Sequence, residues 1–432
     1  MTLVENCDQS RSISNAAKIG IRREDLISEK RAALSPHHVK KLISNGIDVI
    51  VERSSIRIFS DKAYKDHGAT LVDSLNDIAN CSLVLGIKEI KIEKLRRGQA
   101  YACFSHTIKG QKKNMPLLAK IIEGEHALID YECIRDTDGK RLVFFGFHAG
   151  VAGAVNSIWA YGKRHPQSVF AHLKQCKNYR NIDQIRDSLR ALADTSGSNQ
   201  CLSVAVLGSG NAGRGALSIL GELPDQLIDI HPYLMKDLYL HRIDKTFVRE
   251  DYLNNPHNYE SIFRDKLANY DVILNCVYWE HKYPRLVTAD DLDNLFRSSN
   301  PPRLHVIGDV SCDVNGAIEV TQEITWPEKP CYLYNTSERK IVDLDNANET
   351  AFPTEATQHA IGPTIMAVYN LPAEVPQDAS NFFGDTLCPL LIESKEIISQ
   401  QKWQNLTEPL RSALIVNNGK LQSQYTYLQD AL

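Results

Sequence analysis

The stretch CLSVAVLGSGNAGRGALSILGE, residues 201–222, decides the fold. Cys201 to Leu207 is almost continuously apolar, as a strand buried on both faces of a parallel sheet must be. Gly208-Ser209-Gly210-Asn211-Ala212-Gly213 then fits G-x-G-x-x-G, and Arg214 to Glu222 continues at helical spacing. In that context each glycine has a reason. Gly208 permits the tight turn, Gly210 lets the backbone approach a pyrophosphate, and Gly213 allows close packing of helix on strand. The helix N-terminus adds unpaired N–H donors and a partial positive charge. A plain tight turn is the alternative, and the flanking strand and helix favour dinucleotide binding over it.

Which dinucleotide is less direct. An acidic residue some 20 positions on commonly holds the ribose 2′-OH of NAD. Asp225 and Asp229 fall near that distance, but LPDQLIDIHP (223–232) reads as an inserted loop. The next strand-like run is Leu238 to Leu240, followed by His241 and Arg242. Arg242 suits a 2′-phosphate, whereas Asp244 would suit NAD. The expectation is NADP(H), with NAD(H) as the second possibility.

Moving outward, strand and helix signals alternate through the first 145 or so residues. Lys18–Arg22, Asp48–Glu52, Ser82–Ile87, Ala100–Phe104 and Ala127–Tyr131 read as strands. Ser35-Pro36 opens a helix that stops before Gly46, and a second helix runs around Asp61–His67. Gly146–Gly162, rich in small residues, reads as a tightly packed helix joining two domains, or equally as an ordinary core helix. Asp271–Val277 and Leu304–Ile307 are later strands, and Asp194–Gln200 reads as a loop.

Two ionisable side chains fall at expected strand ends, where parallel sheets bind ligands. Lys88 follows SLVLGI and His106 follows AYACF. A partly desolvated lysine can act as a base near neutrality, and histidine is matched to proton transfer there. Taken singly, a solvated lysine and a structural histidine are the commoner outcomes; neighbouring positions in one sheet strengthen both. Arg22, Arg31 and Arg141 lie at element edges and could hold carboxylates. Glu132 could hold an ammonium.

Bulk composition bounds the remaining classes. The chain has 432 residues, 43% hydrophobic and 24% charged, with 49 basic and 53 acidic residues for a formal net charge of −4. That length favours two domains, and the charge balance gives no reason to expect nucleic acid or a membrane surface as partner. No run of 18 apolar residues occurs. The ten cysteines form no Cys-x-x-Cys pair and read as reduced thiols of a cytoplasmic protein. Residues 1–17 lack the apolar core of a secretory signal and read as a polar leader. Residues 401–432 read as a polar tail. No His/Cys/Asp spacing matches a metal site, and neither a G-x-S-x-G elbow nor a P-loop is present.

Several segments carry a more specific resemblance. Arg22-Arg23-Glu24, KRAALSP (30–36), LGIK (85–88), FSHTIK (104–109) and IDYE (129–132) resemble the lysine-forming saccharopine dehydrogenases. They are closer still to the lysine–ketoglutarate reductase domain of bifunctional aminoadipic semialdehyde synthases. FGFHAGVAG (145–153), GNAGRGA (210–216), YWEHKYPRL (278–286), DVSCDVNGAIE (309–319), NLPAEVP (370–376) and FFGDTLCP (382–389) extend the resemblance over about residues 18–395.

The resemblance implies a reaction: L-lysine condenses with 2-oxoglutarate, and NAD(P)H reduces the imine to saccharopine. It implies membership of the alanine dehydrogenase/transhydrogenase superfamily, an α/β fold of two Rossmann-like domains with parallel sheets, and an active-site cleft between them. The substrate domain would be 18–150 plus about 355–400, and the NAD(P)-binding domain 151–354. It implies acid/base roles for Lys88 and His106. It places Arg22, Gln111, Glu132, Arg141, Phe145 and Asp309 near substrate, beside Arg31 from its place at an element edge. It adds Asn211, Ala212, Tyr278, Gly308 and Asn370 as cofactor contacts beside Gly208, Gly210, Gly213 and Arg242. Tyr369 stands where the family usually has Asp, and Ala367 where it has Ser. That departure keeps one rival open, a related reductase with another amine or oxo acid; a second rival, a non-catalytic NADP-binding regulator, would not need Lys88, His106, Arg22 and Arg141 together. Flux direction and oligomeric state are not implied.

Overall fold

A computed structural model describes residues 16–78, 80–194, 201–298, 302–342 and 362–432. The expected leader and loop 195–200 lie outside these residues, apart from Ala16, Ala17 and Asp194, and so does the expected domain boundary near 355. The chain forms two compact units. The first comprises residues up to Phe144 together with Ser380–Leu432, and the second Phe145–Ala379. The strands in chain order are β1 (Ala17–Ile21), β2 (Ile47–Glu52), β3 (Thr70–Val72), β4 (Leu83–Lys88), β5 (Ala100–Phe104), β6 (Ala127–Asp130), β7 (Leu202–Leu207), β8 (Ile228–Tyr233), β9 (Tyr239–His241), β10 (Tyr259–Ser261), β11 (Val272–Asn275), β12 (Val306–Asp309), β13 (Cys331–Asn335), β14 (Lys340–Val342), β15 (Thr364–Met366), β16 (Leu414–Asn417) and β17 (Lys420–Leu421). The helices used below are α1 (Pro36–Ser44), α2 (Asp61–Asp66), α3 (Met115–Glu123), α4 (Gly146–Arg164), α5 (Ile182–Arg190) and α6 (Asn211–Leu220).

The first unit holds an eight-stranded sheet in the order β17-β16-β6-β5-β4-β1-β2-β3. From β6 to β3 every pairing is parallel, and the strand order reverses between β1 and β4. The central strands β4 and β5 are buried along their length apart from Lys88, which explains their unbroken apolar sequence. Helix α1 starts as its sequence predicts: Ser35 is the N-cap, Pro36 opens the first turn, and Gly46 takes a positive φ of 78° just beyond the end. Tyr64 of α2 is buried and donates its hydroxyl to Leu34 O at 2.6 Å.

The expected polar tail is corrected. Leu414–Asn417 is a buried strand that pairs antiparallel with β6, and β17 turns back on it. Three apolar residues, Leu414, Ile415 and Val416, in a polar neighbourhood were enough to join a sheet edge that would otherwise expose unpaired N–H and C=O groups. The unit boundaries, after Phe144 and Ala379, also differ from the expected 150/151 and 355. All of α4 belongs to the second unit, so it is a core helix of that unit.

The second unit contains a seven-stranded sheet, β14-β13-β15-β12-β11-β7-β8, and a separate two-stranded ribbon, β10-β9. Strands β7, β8, β11, β12 and β15 run parallel in the spatial order of a doubly wound domain, reversing between β7 and β11. One apolar layer, including Val155, Ile158, Val204, Val206 and Leu274, covers one face; Ala205, Leu207, Ile273 and Ile307 belong to the other layer. Two sequence readings change here. The supposed inserted loop contains β8, a full strand parallel to β7. The run Leu238–Leu240 contributes instead to β9, which pairs antiparallel with β10 outside the main sheet. Helix α6 also begins earlier than expected, at Asn211, so the last residues of the glycine motif are already its first turn.

Candidate active site

In the first unit the reversal in strand order lies between β1 and β4; Arg22 follows β1 and Lys88 ends β4. Strand β5 lies beside β4, with Lys88 opposite Phe104, so Lys88 and His106 leave neighbouring strand ends, as expected. Burial pushes the Lys88 ammonium below its ordinary pKa, and the cation of Arg31 adds to the effect. His106 is likewise lowered, first by burial and then by Lys88; Glu89 and Glu132 oppose the shift. Its Nε2 lies 4.0 Å from Glu89 Oε2, and its ring stacks over Phe104 with centroids 6.4 Å apart. His106 has a left-handed φ of 55°, uncommon for a residue with a β-carbon.

The pair Glu132 and Arg141 completes this edge. Arg141 Nη1 donates to Glu132 Oε1 at 3.2 Å and its Nε to Val143 O at 2.7 Å, while its guanidinium sits 5.5 Å from the Phe104 ring centre. The Arg141 side chain is 32% exposed, so it can still meet a carboxylate. Arg31 is buried and forked onto Glu29, at 2.7 Å from Nε and 2.6 Å from Nη2. Gln111 is exposed on the loop after β5. Arg22 departs from its expected role. Its guanidinium is buried and donates to Lys88 O at 2.5 Å, Glu89 O at 3.1 Å, Glu24 Oε2 at 3.2 Å and Arg23 O at 2.9 Å. It braces the lysine's backbone rather than offering a fork to a ligand. Glu24 grips the same turn from the other side, accepting from Ile87 N at 2.6 Å and Lys88 N at 3.1 Å.

The second unit carries the dinucleotide features. Gly208 follows β7 with φ 99°, and a β-carbon there would meet Cys276 O at 3.1 Å. At Gly213 it would lie 1.8 Å from Gly208 O. At Gly210 it would meet nothing within 4 Å, so the approach to the loop is open where a pyrophosphate would come. Asn211 and Ala212 then head a ten-residue helix whose first N–H groups have no partners within the helix. These residues fit a nicotinamide dinucleotide, with the phosphates on the helix N-terminus at the reversal of strand order.

Other assigned positions separate into two groups. Phe145 is the N-cap of α4, Asn370 has φ 62° and precedes the short helix Leu371–Glu374, and Tyr278 is exposed, with its hydroxyl on Glu280. Gly308 and Asp309 are buried in β12. A β-carbon on Gly308 would lie 2.1 Å from Ser157 Oγ, so its smallness serves packing against α4. Asp309 accepts from Asn275 Nδ2 at 2.9 Å and Thr321 Oγ1 at 2.7 Å, and burial raises its pKa to about 6. Arg242 stands after β9 on the ribbon, exposed, 3.6 Å from Glu260. In a doubly wound sheet the ribose is commonly met at the end of the strand beside the one that carries the glycine loop, here β8, after which the chain has Leu234-Met235-Lys236-Asp237. The sequence reading missed Glu24, Glu29, Glu89 and Asp130; only their closeness to strand ends could have flagged them. Among the described residues no cluster fit for a metal ion occurs, and no helix is long and apolar enough to cross a membrane.

Comparison with known proteins agrees with this fold. Residues 20–152 match the family model described as alanine dehydrogenase/PNT, N-terminal domain. The solved structure of an L-alanine dehydrogenase superposes with TM-score 0.61 at 16% identity, covering 96% of this chain and all of that one. The fold is therefore that of the Rossmann-type dehydrogenases. Among curated proteins, the mitochondrial alpha-aminoadipic semialdehyde synthase of Bos taurus is 32% identical over 463 residues, which is 97% of this chain and 48% of that protein. The chain thus spans about half the length of that relative. The saccharopine dehydrogenase [NAD(+), L-lysine-forming] of Yarrowia lipolytica is 27% identical over 89% of this chain and 94% of its own length. These relatives are enzymes by name.

Proposed function

We propose that the chain interconverts L-lysine, 2-oxoglutarate and NAD(P)H with saccharopine and NAD(P)+. The observation that carries this is the pairing of Lys88 and His106 at adjacent strand ends, both held below their ordinary pKa, beside Arg141 and the buried Arg31. Lys88, its ammonium held below the ordinary lysine range by burial, takes the proton from the substrate's ε-ammonium. The freed amine adds to the oxo carbon of 2-oxoglutarate. His106, whose ring burial holds toward the neutral form, relays the proton that Lys88 has taken to the carbinolamine hydroxyl, which leaves as water and forms the iminium. When bound, the reduced nicotinamide supplies the hydride that turns the iminium into the secondary amine of saccharopine. Arg141 holds a substrate carboxylate, Gln111 lines the substrate's path, and Glu132 keeps Arg141 oriented.

NADP(H) is the preferred cofactor in this reading. The support is now the stretch after β8, where no acid directly follows the strand and Lys236 is exposed; Asp237 caps Leu234 N at 2.9 Å. Free thiols at all nine described cysteines support a cytoplasmic location. The test is loss of reduced-nicotinamide absorbance with 2-oxoglutarate and a panel of amines. Oxidation with lysine alone, lowered by about a hundredfold or more in Lys88→Met and His106→Gln with unchanged cofactor binding, is expected. Turnover with pyruvate and ammonia in its place would transfer the reading to an amino-acid dehydrogenase of another specificity.

A further inference from the structure

We propose that Asp130, through Ser105 and Thr107, is a positioning residue that sets His106 and Glu132 in one geometry. This rests on the reading of His106 as a proton-transfer group. The starting point is the backbone of His106. A side chain larger than glycine at φ 55° is held there only when its surroundings over-determine it. Those surroundings converge on one carboxyl group. Asp130 ends β6, is fully buried, and lies beside the end of β5, with Cys103 opposite it. Its Oδ2 accepts from Ser105 N at 3.2 Å and from the Ser105 hydroxyl. The Ser105 hydroxyl oxygen also lies 2.8 Å from Thr107 Oγ1 and accepts from Thr107 N at 3.3 Å. Both neighbours of His106 are thereby tied to Asp130, while Asn114 Nδ2 donates to the His106 carbonyl at 2.6 Å.

The other oxygen of Asp130 reaches the opposite member of the site. Oδ1 accepts from Glu132 N at 2.8 Å, fixing the backbone from which Glu132 meets Arg141. One carboxyl group therefore binds the loops after β5 and β6 together. Asp130 has no exposed surface, so it touches no ligand and acts only through these neighbours. Buried hydrogen-bond networks of this kind specify a geometry when every member is satisfied. The groups facing His106 are Lys88, Glu89, Glu132 and Arg141, and all would shift relative to the ring if the hub were loosened.

Thr107→Val and Thr107→Ser separate a positioning role from simple packing, because Thr107 is fully buried and the valine keeps its shape. Thr107→Val should lower kcat about tenfold and Thr107→Ser should leave it near wild type, with NADPH affinity the same in both. Asp130→Asn, which puts an amide where an N–H donor points, should cost about a hundredfold, the scale of a small misplacement. The histidine limb of the kcat profile should move toward a free imidazole in Thr107→Val and Asp130→Asn. Equal rates in Thr107→Val and wild type, or equal impairment in both Thr107 variants, overturn the proposal. If Asp130→Asn does not fold, the Thr107 pair decides alone. If wild type does not turn over lysine and 2-oxoglutarate, the functional reading fails separately. The hub is then read from the nitrogen-15 titration of the His106 ring, and an unchanged titration in Thr107→Val overturns it.

Discussion

Lys88 can serve as a base only if its side chain starts from a fixed place, and two residues fix it. Arg22 donates to its carbonyl and Glu24 accepts from its N–H, so both sides of one residue's backbone are held by one ion pair. Gly86 makes this possible, since a β-carbon there would lie 2.4 Å from Arg22 Nε. Replacing Arg22 by lysine keeps the charge but loses the fork that spans Lys88 O, Glu89 O and Glu24. We expect Arg22→Lys to lower kcat by about tenfold to a hundredfold and to leave KM for 2-oxoglutarate within about threefold. Initial-rate kinetics check this. A large rise in KM with kcat intact would restore the carboxylate-binding role that the sequence suggested for Arg22. The pairing of Lys88 with His106 was legible because parallel strand ends converge by geometry. The true partner of Arg22 was not, because it lies 66 positions away and is a backbone carbonyl.

At the scale of elements, the glycine motif works because two helices touch without side chains between them. A β-carbon on Gly150 of α4 would lie 1.8 Å from Ala212 O, and one on Gly215 of α6 would lie 2.0 Å from Phe147 O. Alanine is favoured over glycine inside a helix by about 1 kcal/mol. Here the clash is with backbone and outweighs that gain. Gly150→Ala should therefore destabilise by about 1–3 kcal/mol, the usual cost of overpacking. Since Ala212 is part of the first turn of α6, it should weaken dinucleotide binding as well. Thermal melts with and without NADPH measure both effects; an unchanged melt would mean that α4 can move away freely. The small residues of 146–162 signalled close packing, but periodicity could not say against what. Strand β8 was harder still. Ile228-Asp229-Ile230-His231-Pro232 alternates polar and apolar residues and ends in proline, which suits an edge strand of this sheet and also reads as a loop.

Across the whole molecule, length suggested two units and the resemblance implied that a C-terminal segment rejoins the first, whereas the pairing of Leu414–Asn417 with the first sheet was not legible. Composition averages away a four-residue strand such as Leu414–Asn417. It equally hides where charge is buried. Burial raises the carboxyls of Asp130 and Asp309 to about 6 and that of Glu374 to about 7. Each is protonated in the folded chain over a range where the unfolded chain would ionise it. Its contribution to stability is therefore full below the unfolded pKa and is lost as pH rises through the folded one. His38, His106 and His126, lowered by burial, work in the opposite sense and lose stability as pH falls below about 6.5. Glu374 isolates the first effect. It accepts from Asn156 Nδ2 at 2.9 Å, a bond that glutamine can keep, and it is remote in sequence from Lys88 and His106. Glu374→Gln should match wild type near pH 4.5 and gain on it steadily up to about pH 7, by on the order of 3 kcal/mol in all. Urea unfolding at several pH values gives the difference directly. Two stability curves that stay parallel from pH 5 to pH 8 would show that Glu374 is ionised in the folded protein.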